Sequence, residues 1–407
     1  MSLRKNLNLL KIVIFKSKWR FTIPKQKEVL IYDHGAEYLF NFLNKQKCFI
    51  YHARGESINF YILIKTLIKF GFKNLKINYK KTYFELVNPK FIITFRHQNR
   101  AFYKLKNIFK KAVTIFIQWG KAQEFMFKPE ETHSKNSYHV DYMFTFGDDT
   151  SRKYSNMING KTFSIGSIQN NNIYTGQNIE KNSLVFISQY KSFGSLPLTP
   201  YKNFPKFEKI ILWYLKKYCS KKNIKLYVCS RNLKSDKQSY DAYSKVLGKD
   251  GWHYCAREHL GQESDFNTYE RVMNSEFVVF IDSTLGYEAL SRNKKVAAFS
   301  FGARSPELWN ANGSKNIIST NQWYPTPFGY PTNLPDKGPF WTNIFKKKYI
   351  IEILDYITNV SDEEWLNILK KYKIENIIKF DKGNSKLINL LKELKIPLKE
   401  LESENKH

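Results

Sequence analysis

The chain has 407 residues, of which 42% are apolar and 16% aromatic, a composition that excludes a disordered protein and suits two domains with separate cores. The net charge of +30 indicates an anionic partner (nucleic acid, a membrane surface or a phosphorylated ligand), although an AT-rich genome also produces lysine-rich chains. The cysteines lack metal-ligand or disulfide spacing, which favours a reducing cytoplasm; they are Cys48, Cys219, Cys229 and Cys255.

Residues 1–27 form a basic N-terminal arm. Its apolar stretch, Leu7–Phe15, is interrupted by polar residues, is too short to span a membrane and lacks a small-residue cleavage site. We therefore expect neither a signal peptide nor a transmembrane helix. The cations near Trp19 and Phe21 either lie on a bilayer surface or pack against the body of the protein.

Residues 28–170 alternate short β-rich runs with helix-length segments. The runs are apolar on both faces, which is typical of strands in a parallel sheet covered by helices. Strands are predicted at 28–33, 47–53, 74–79, 91–95, 112–119, 141–146 and 161–167, and helices at 36–45 and 57–71.

An asparagine-rich segment, residues 171–182, is predicted to link two domains, because the strand and helix pattern restarts after it. The second domain spans 183–345 and is followed by helices in 346–407, one of which has capping-box spacing at Ser361 and Glu364. Its strands are predicted at 183–189, 224–230, 252–256, 277–282 and 295–301, and its helices at 207–222, 265–275 and from Leu285. The predicted fold class is α/β, with two Rossmann-like parallel-sheet domains facing a cleft.

The ends of these strands are where ligands bind in open parallel sheets. Asp282 ends one strand, and Ser283, Thr284 and Gly286 open the next helix. The free N–H groups and dipole of that helix would bind a phosphate, and the glycine would allow close approach. Glu288 would then reach a sugar hydroxyl. In the alternative interpretation, Asp282 or Ser283 only caps the helix and Glu288 is solvated.

Four stretches resemble a bacterial family of surface-carbohydrate biosynthesis proteins, for lipopolysaccharide or capsule. They are "FIQWGK" (116–121), residues 145–157 with 160–171, "SLVFISQY" (183–190) and, most strongly, "FVVFIDSTLGYEALSRNKKVAAFSF" (277–301). The family is similar to glycosyltransferases of the GT-B architecture. Its more distant relatives use CMP-activated acidic sugars such as Kdo or nonulosonates.

The resemblance implies that the second domain binds a nucleotide-sugar donor and the first binds the acceptor and carries the catalytic base. By this resemblance, the donor is bound by the residues at the start of the helix described above and by further residues that follow strands. Those further residues are Ser188, Gln189, Ser230, Arg231 and Arg304. An arginine at these positions either neutralises a phosphate or forms a surface salt bridge.

On the acceptor side, "IYDHGAEYLF" ends a strand at Asp33 and His34 and begins a helix with Glu37. Sugar transfer needs a group that takes the proton from the acceptor hydroxyl, and an Asp, Glu or His side chain can do so. We expect Asp33 or His34 to be that base, or alternatively to cap the helix. Four residues after later strands are weaker candidates for lining the acceptor site: Arg96, His97, Gln118 and Gly120.

The adjacent acids Asp148 and Asp149 open a predicted helix, where the dipole favours them, and we interpret them as capping residues rather than metal ligands. The resemblance implies a metal-independent enzyme with no cofactor beyond its donor.

The predicted function is therefore transfer of a sugar to a glycan or lipid-linked glycan of the bacterial surface. We expect a cytoplasmic protein held peripherally at the anionic inner face of the inner membrane, with no specific nucleic acid partner. Three alternatives stay open: a CDP-alcohol phosphotransferase, a UDP-sugar epimerase, and a basic nucleic-acid-binding protein, which the charge and the many aromatic residues would suit.

Overall fold

A computed structural model describes most of the chain. The described residues are 17–33, 36–53, 56–127, 138–172, 178–189, 204–257, 262–301 and 326–399.

The N-terminal half builds a parallel sheet of six strands in the order β3-β2-β5-β6-β7-β8, and β1 and β4 pair separately. Its strands are β1 (Lys18–Arg20), β2 (Val29–Tyr32), β3 (Cys48–Tyr51), β4 (Ser57–Asn59), β5 (Phe91–Thr94), β6 (Val113–Ile117), β7 (His139–Thr145) and β8 (Asn159–Ser164). Its helices are α1 (Ala36–Leu39), α2 (Phe60–Phe70), α3 (Leu75–Val87), α4 (Arg100–Tyr103), α5 (Asp148–Met157) and α6 (Ile168–Asn172).

The C-terminal half builds a second parallel sheet of six strands, in the order β11-β10-β9-β12-β13-β14. Its strands are β9 (Glu180–Ile187), β10 (Lys225–Leu233), β11 (His253–Arg257), β12 (Ser275–Phe280), β13 (Lys295–Phe299) and β14 (Trp341–Thr342). Its helices are α7 (Phe204–Lys222), α8 (Lys237–Leu247), α9 (Gln262–Asn274), α10 (Thr284–Ser291), α11 (Lys347–Asn359), α12 (Asp362–Lys371) and α13 (Ser385–Glu393).

The predicted fold class is confirmed, because both sheets are parallel and have Rossmann-like strand orders. The central strands are buried on both faces: all four residues of β2 and β5, and the last five of β9, are buried. The continuous apolar runs that predicted these strands therefore reflect a sheet with helices on each side.

The last helices divide between the two halves. Helix α11 packs its buried Ile350, Ile353 and Leu354 into the core of the second sheet. Helix α13 instead returns to the first sheet, where Leu387 and Leu391 join its core. The end of the chain therefore ties the two halves together.

The predicted strand at 74–79 is wrong, because this segment begins α3. Helical spacing is visible in the buried positions that follow, Lys80, Tyr83, Phe84 and Val87. The six residues that predicted a strand end at Tyr79 and are too few to show it. The capping box is confirmed at α12, where the Ser361 side chain accepts a hydrogen bond from the Glu364 N–H at 3.1 Å.

The predicted linker, 171–182, overlaps regular structure at both of its ends. Asn171 lies in α6 and is buried, and β9 begins at Glu180. Residues 173–177 lie outside the described residues.

Each strand order reverses once, and such a reversal leaves a crevice at the carboxyl ends of two neighbouring strands. In the second sheet the reversal lies between β9 and β12, and in the first between β2 and β5. These strands end just before Ser188, Asp282, Asp33 and Arg96, so the sheet topology brings predicted site residues to both crevices.

Candidate functional site

The helix that follows β12 faces the first half of the chain. Ser283 is the N-cap of α10 in an extended conformation, without a side-chain capping bond. The hydroxyl of Thr284 accepts a hydrogen bond from the backbone N–H of Lys121 at 3.0 Å, and Lys121 follows β6. The carboxyl ends of β6 and β12 therefore meet at the contact between the two sheets.

A buried ion pair lies at this meeting point. The Nζ of Lys121 is 2.6 Å from Oδ1 of Asp282, and the two side chains are 7% and 0% exposed. The ammonium group also lies 4.7 Å from the centroid of the Tyr287 ring, within the range of a cation–π contact. The position of Asp282 is thus fixed by a residue of the other half.

Burial and charge act against each other in this pair. Burial raises the pKa of Asp282, and Lys121 opposes that shift. Burial alone would lower the pKa of Lys121, but the nearby Asp282 carboxylate holds it above its usual value. A lysine with a raised pKa is protonated at neutral pH, so a fixed cation lies beside the N-terminus of α10.

The Glu288 carboxylate belongs to a second contact between the halves. It is buried and accepts hydrogen bonds from the hydroxyls of Ser167 and Tyr269. Asn170 of α6 donates to Ser291 at 3.0 Å and accepts from Arg292 at 2.8 Å. A sugar hydroxyl would have to displace one of these partners to reach Glu288, so its predicted donor contact stays a prediction.

Packing against a neighbouring ring explains why residue 286 is a glycine, which the sequence did not indicate. A Cβ atom at this position would lie 2.2–2.5 Å from ring atoms of Phe280, far inside van der Waals contact. The absent side chain therefore lets α10 pack against the end of β12. The space is taken by Phe280 rather than left for an anion.

Ser188 and Gln189 follow β9, on the other side of the same crevice. The Ser188 hydroxyl donates to Glu208 at 2.8 Å and lies 2.5 Å from the hydroxyl of Tyr243, while the backbone N–H of Gln189 donates to Glu208 at 2.5 Å. Ser230 was predicted to follow its strand but lies within β10, which extends to Leu233; it is fully buried and accepts from the Asn232 N–H at 3.2 Å. These polar groups order the carboxyl ends of the strands.

For several predicted site residues the structure describes either no position or no side chain. His34 and Arg304 lie outside the described residues. Glu37 is part of α1 and Arg231 is part of β10, but their side chains are outside the description.

Asp33 and Arg96 meet at the crevice of the first sheet. Asp33 is 1% exposed, has a φ of 75°, and its Oδ2 lies 3.6 Å from Nε of Arg96. The left-handed backbone turns the chain sharply at the end of β2. The ion pair places an arginine, still partly exposed, beside the carboxylate proposed as the base.

His97 is also at this crevice but is buried. Its Nδ1 accepts a hydrogen bond from the backbone N–H of Trp119 at 3.2 Å, and its Nε2 has no hydrogen-bond partner in the described part of the chain. Burial lowers the pKa of His97 to about 3. The imidazole is therefore neutral near pH 7 and has one unused polar atom.

Gln118 and Gly120 shape the turn that carries Lys121. The side chain of Gln118 donates to the carbonyl of Gly120 at 2.8 Å and accepts from the Phe146 N–H at 2.8 Å. A Cβ on Gly120 would lie 3.3 Å from Oγ1 of Thr284, so a small residue allows the close approach of α10.

Asp148 and Asp149 occupy the first turn of α5, where the dipole favours them, but they do not cap it as predicted, because the N-cap is Gly147 and no side chain makes a capping bond. They point to different partners: Asp148 pairs with Lys379 at 2.8 Å, and Asp149 pairs with Arg152 at 2.7 Å and accepts from Thr332. Among the described residues, no group of three or more His, Cys, Asp or Glu side chains could hold a metal ion. None of the helices described has both the length and the apolarity to cross a membrane.

Sequence reasoning missed Lys121, although it ends the quoted stretch "FIQWGK". A lysine directly after an apolar strand is the available signal, since that position lies at the edge where ligands and partner domains meet. Ser167, Asn170 and Tyr269 were missed as well, because nothing in their local sequence points to Glu288.

The fold and this site define an α/β protein of two Rossmann-like domains that meet at the carboxyl ends of their central strands. The chain belongs to a family described as "putative O-antigen biosynthesis protein", whose sequence profile matches residues 115–395. The predicted resemblance to a family of surface-carbohydrate biosynthesis is confirmed at this level. No curated protein matches the chain.

Solved structures with a similar fold include Staphylococcus aureus MnaA with UDP, at 12% identity and a TM-score of 0.46, over 91% of this chain and 98% of that one. The UDP-GlcNAc 2-epimerase of Neisseria meningitidis bound to UDP-GlcNAc has 10% identity and a TM-score of 0.45, covering 91% and 99%. The wall teichoic acid polymerase TagF has 11% identity and a TM-score of 0.44, covering 96% and 97%. Likenesses this distant concern the fold and not the reaction.

Proposed function

We propose that this protein is a glycosyltransferase that moves a sugar from a nucleotide-activated donor to a bacterial surface glycan. One observation carries the proposal: the carboxyl ends of the central strands of both sheets meet at Lys121, Asp282 and Thr284. A donor bound to one sheet and an acceptor bound to the other would thus be adjacent. Membership of an O-antigen biosynthesis family supports a glycan product.

The donor would bind at the crevice between β9 and β12. The first turn of α10 offers backbone N–H groups, Ser283 and Thr284 offer hydroxyls, and the ammonium group of Lys121, paired with Asp282, lies beside them. These groups suit the phosphate of a nucleotide-sugar and would stabilise the charge that the departing nucleotide acquires. The resemblance to users of CMP-activated acidic sugars makes CMP the first nucleotide to test.

The acceptor would bind at the crevice between β2 and β5. In the reaction, the acceptor oxygen forms a bond to the anomeric carbon as the bond from that carbon to the phosphate oxygen breaks. The acceptor proton passes to a base, which we assign to Asp33 or His34. Arg96 would then hold the Asp33 carboxylate in place.

Binding of nucleotides to the purified protein tests the donor site. CMP, CDP, UDP and GDP are titrated by calorimetry against the natural chain, Thr284→Val and the control Ser361→Ala, which removes a distant helix cap. We expect one nucleotide to bind, the Thr284 variant to weaken it about tenfold, and the control to leave it unchanged. Absence of binding by all four would contradict the proposal.

The product then identifies the reaction. Incubation with the matching nucleotide-sugar and a glycan acceptor should give a new glycosidic bond by NMR and mass spectrometry, and Asp33→Asn should lower the turnover while nucleotide affinity persists. An epimerised nucleotide-sugar without an acceptor product would identify an epimerase instead. Transfer of a phospho-alcohol would identify a phosphotransferase.

A further inference from the structure

An exposed apolar surface lies on and around α2 of the first domain. It consists of Phe21, Phe60, Tyr61, Ile64, Ile68 and Phe72, and we name it the α2 surface. Of the fourteen large hydrophobic side chains that are exposed in the described part of the chain, these six are concentrated around one helix. Ile68 and Phe72 are 82% and 83% exposed, more than any other in that set.

Helix α2 carries more apolar residues than a helix that only packs on its own protein needs. Phe60, Ile64 and Ile68 recur every four residues and form a stripe along one side. The buried positions are Ile62 and Thr66, on the opposite side. Three partly buried residues lie on that side too: Leu63, Leu67 and Phe70. Helix α2 therefore has an apolar stripe facing water in addition to its apolar inward side.

Neighbouring segments extend the surface and hold it in shape. The parallel pairing of β1 with β4 sets Trp19 beside the start of α2, and the rings of Phe21 and Phe60 lie 5.6 Å apart. Asn59 caps α2 by accepting from the Ile62 N–H at 3.0 Å, and its amide donates to the carbonyl of Thr22 at 2.7 Å. The surface is thus preformed rather than assembled from separate loops.

The exposed area is large for a surface facing water. Taking ~200 Å² for each fully exposed large side chain, the six exposed fractions correspond to roughly 700 Å². The largest apolar patch on a typical monomer is about 300–600 Å². An exposed apolar area of this size is typical of an interaction site.

The charges beside this surface select that occupant. From Ser57 to Phe84 the chain contains six lysines and no Asp or Glu, and the next residue, Glu85, lies 3.4 Å from Nζ of Lys69. Four of them are exposed on α2, on α3 or between them: Lys65, Lys69, Lys73 and Lys76. Protein interfaces are depleted in lysine, whereas helices that lie on anionic bilayers combine an apolar face with lysines beside it.

We propose that the α2 surface docks the protein on an anionic lipid bilayer, with its apolar side chains among the acyl chains and its lysines at the headgroups. The sequence left open whether the N-terminal arm lies on a bilayer or packs against the protein; its residue Phe21 belongs to the α2 surface, and its residues 1–16 lie outside the described residues. The structure assigns the contact to α2 and its neighbours. If the proposed function holds, the acceptor domain is then the one that faces a lipid-linked glycan.

Vesicle flotation with the full chain tests this docking surface. Vesicles of pure phosphatidylcholine are compared with vesicles that contain one-third phosphatidylglycerol. We expect binding to the anionic vesicles that weakens as salt increases. The variant I68S/F72S should bind at least about tenfold less, since two apolar side chains no longer enter the bilayer.

Matched controls separate the surface from general effects. Leu366→Ser with Phe380→Ser removes two exposed apolar side chains elsewhere, and should change vesicle binding less than about twofold. Replacing Lys65, Lys73 and Lys76 by Gln should reduce binding to anionic vesicles at least about tenfold, unlike the same change at Lys221, Lys245 and Lys249. Circular dichroism confirms that each variant is folded.

Several results would overturn the inference. The first is that the natural chain binds neither kind of vesicle, and the second is that the control variants lose as much binding as the test variants. The third is self-association without lipid that I68S/F72S abolishes, which would identify a second copy of the chain as the occupant. Nucleotide binding is measured on the same samples. Vesicle binding without nucleotide binding would leave the docking surface in place and refute only the proposed function.

Discussion

The buried pair of Lys121 and Asp282 gives the sharpest test of how the two sheets are joined. Lys121→Met leaves an unpaired carboxylate, and Asp282→Asn leaves an unpaired ammonium group, in a site where the side chains are 7% and 0% exposed. Removing one partner of a buried ion pair costs about 3–5 kcal/mol, because the remaining charge has lost both its partner and its water. The double variant removes both charges and should cost less than the sum of the single changes.

The measurement is a double-mutant cycle on the thermal unfolding of the four proteins. A loss of 3–5 kcal/mol lowers the melting temperature of a domain of this size by roughly 10 °C, and the coupling between the two sites should be about 2–3 kcal/mol. The idea of a buried, uniquely paired contact would be refuted if each single variant lost under about 1 kcal/mol of stability, or if the losses of the two single variants added up to that of the double variant. Calorimetry on the same variants adds a functional reading: if Lys121 binds the donor phosphate, K121M should weaken nucleotide affinity more than D282N, which breaks the same ion pair but keeps the cation.

Gly286→Ala should lower the free energy of unfolding by about 1–3 kcal/mol in a urea titration, since its methyl group would overlap Phe280, and Phe280→Leu should recover part of the loss. Lys225 and Arg271 hold the pKa of Glu180 down to about 2, so this carboxylate stabilises the fold above its unfolded pKa near 4.5 and stops doing so as the pH falls toward 2. Glu180→Gln should therefore cost about 1–2 kcal/mol at pH 7 and flatten the loss of stability between those two pH values. The hydrogen bond with Cys229 holds the pKa of Cys255 below its usual value, and Cys255 lines a cavity of about 390 Å³ with Lys234 and Arg271, so mass spectrometry should find iodoacetamide on Cys255 well before the buried cysteines. Equal labelling of all four would contradict that assignment.

The strands could be predicted from sequence because a strand buried on both faces is a short apolar run, which few other structures produce. Their carboxyl ends, at Asp33, Ser188 and Asp282, followed directly from that prediction. The prediction of a strand at 74–79 was wrong because apolar and polar residues alternate there by chance. The helical spacing becomes visible only when Lys80 and Phe84 are included.

The partners of the site residues could not be predicted, since they come from distant parts of the chain. Lys121 and Asp282 are 161 residues apart, and Ser167 and Glu288 are 121 apart. Local sequence indicates that a carboxylate follows a strand. It does not indicate which cation of the other domain lies opposite, because that depends on how two separately folded sheets meet.

This dependence bears on how Glu288 acts. A carboxylate that accepts from Ser167 of one domain and Tyr269 of the other is sensitive to any shift between the sheets. The same helix, α10, also carries Thr284 at its first turn, where the donor phosphate would bind. Both ends of one short, rigid helix are thus tied to the first domain, so a ligand that draws Thr284 away from Lys121 must also strain the contacts of Glu288. If the donor binds there, its binding and the relative position of the two domains are linked through α10. Glu288→Gln, which keeps the shape but weakens the acceptor, should then alter nucleotide affinity in calorimetry whether or not Glu288 contacts the nucleotide.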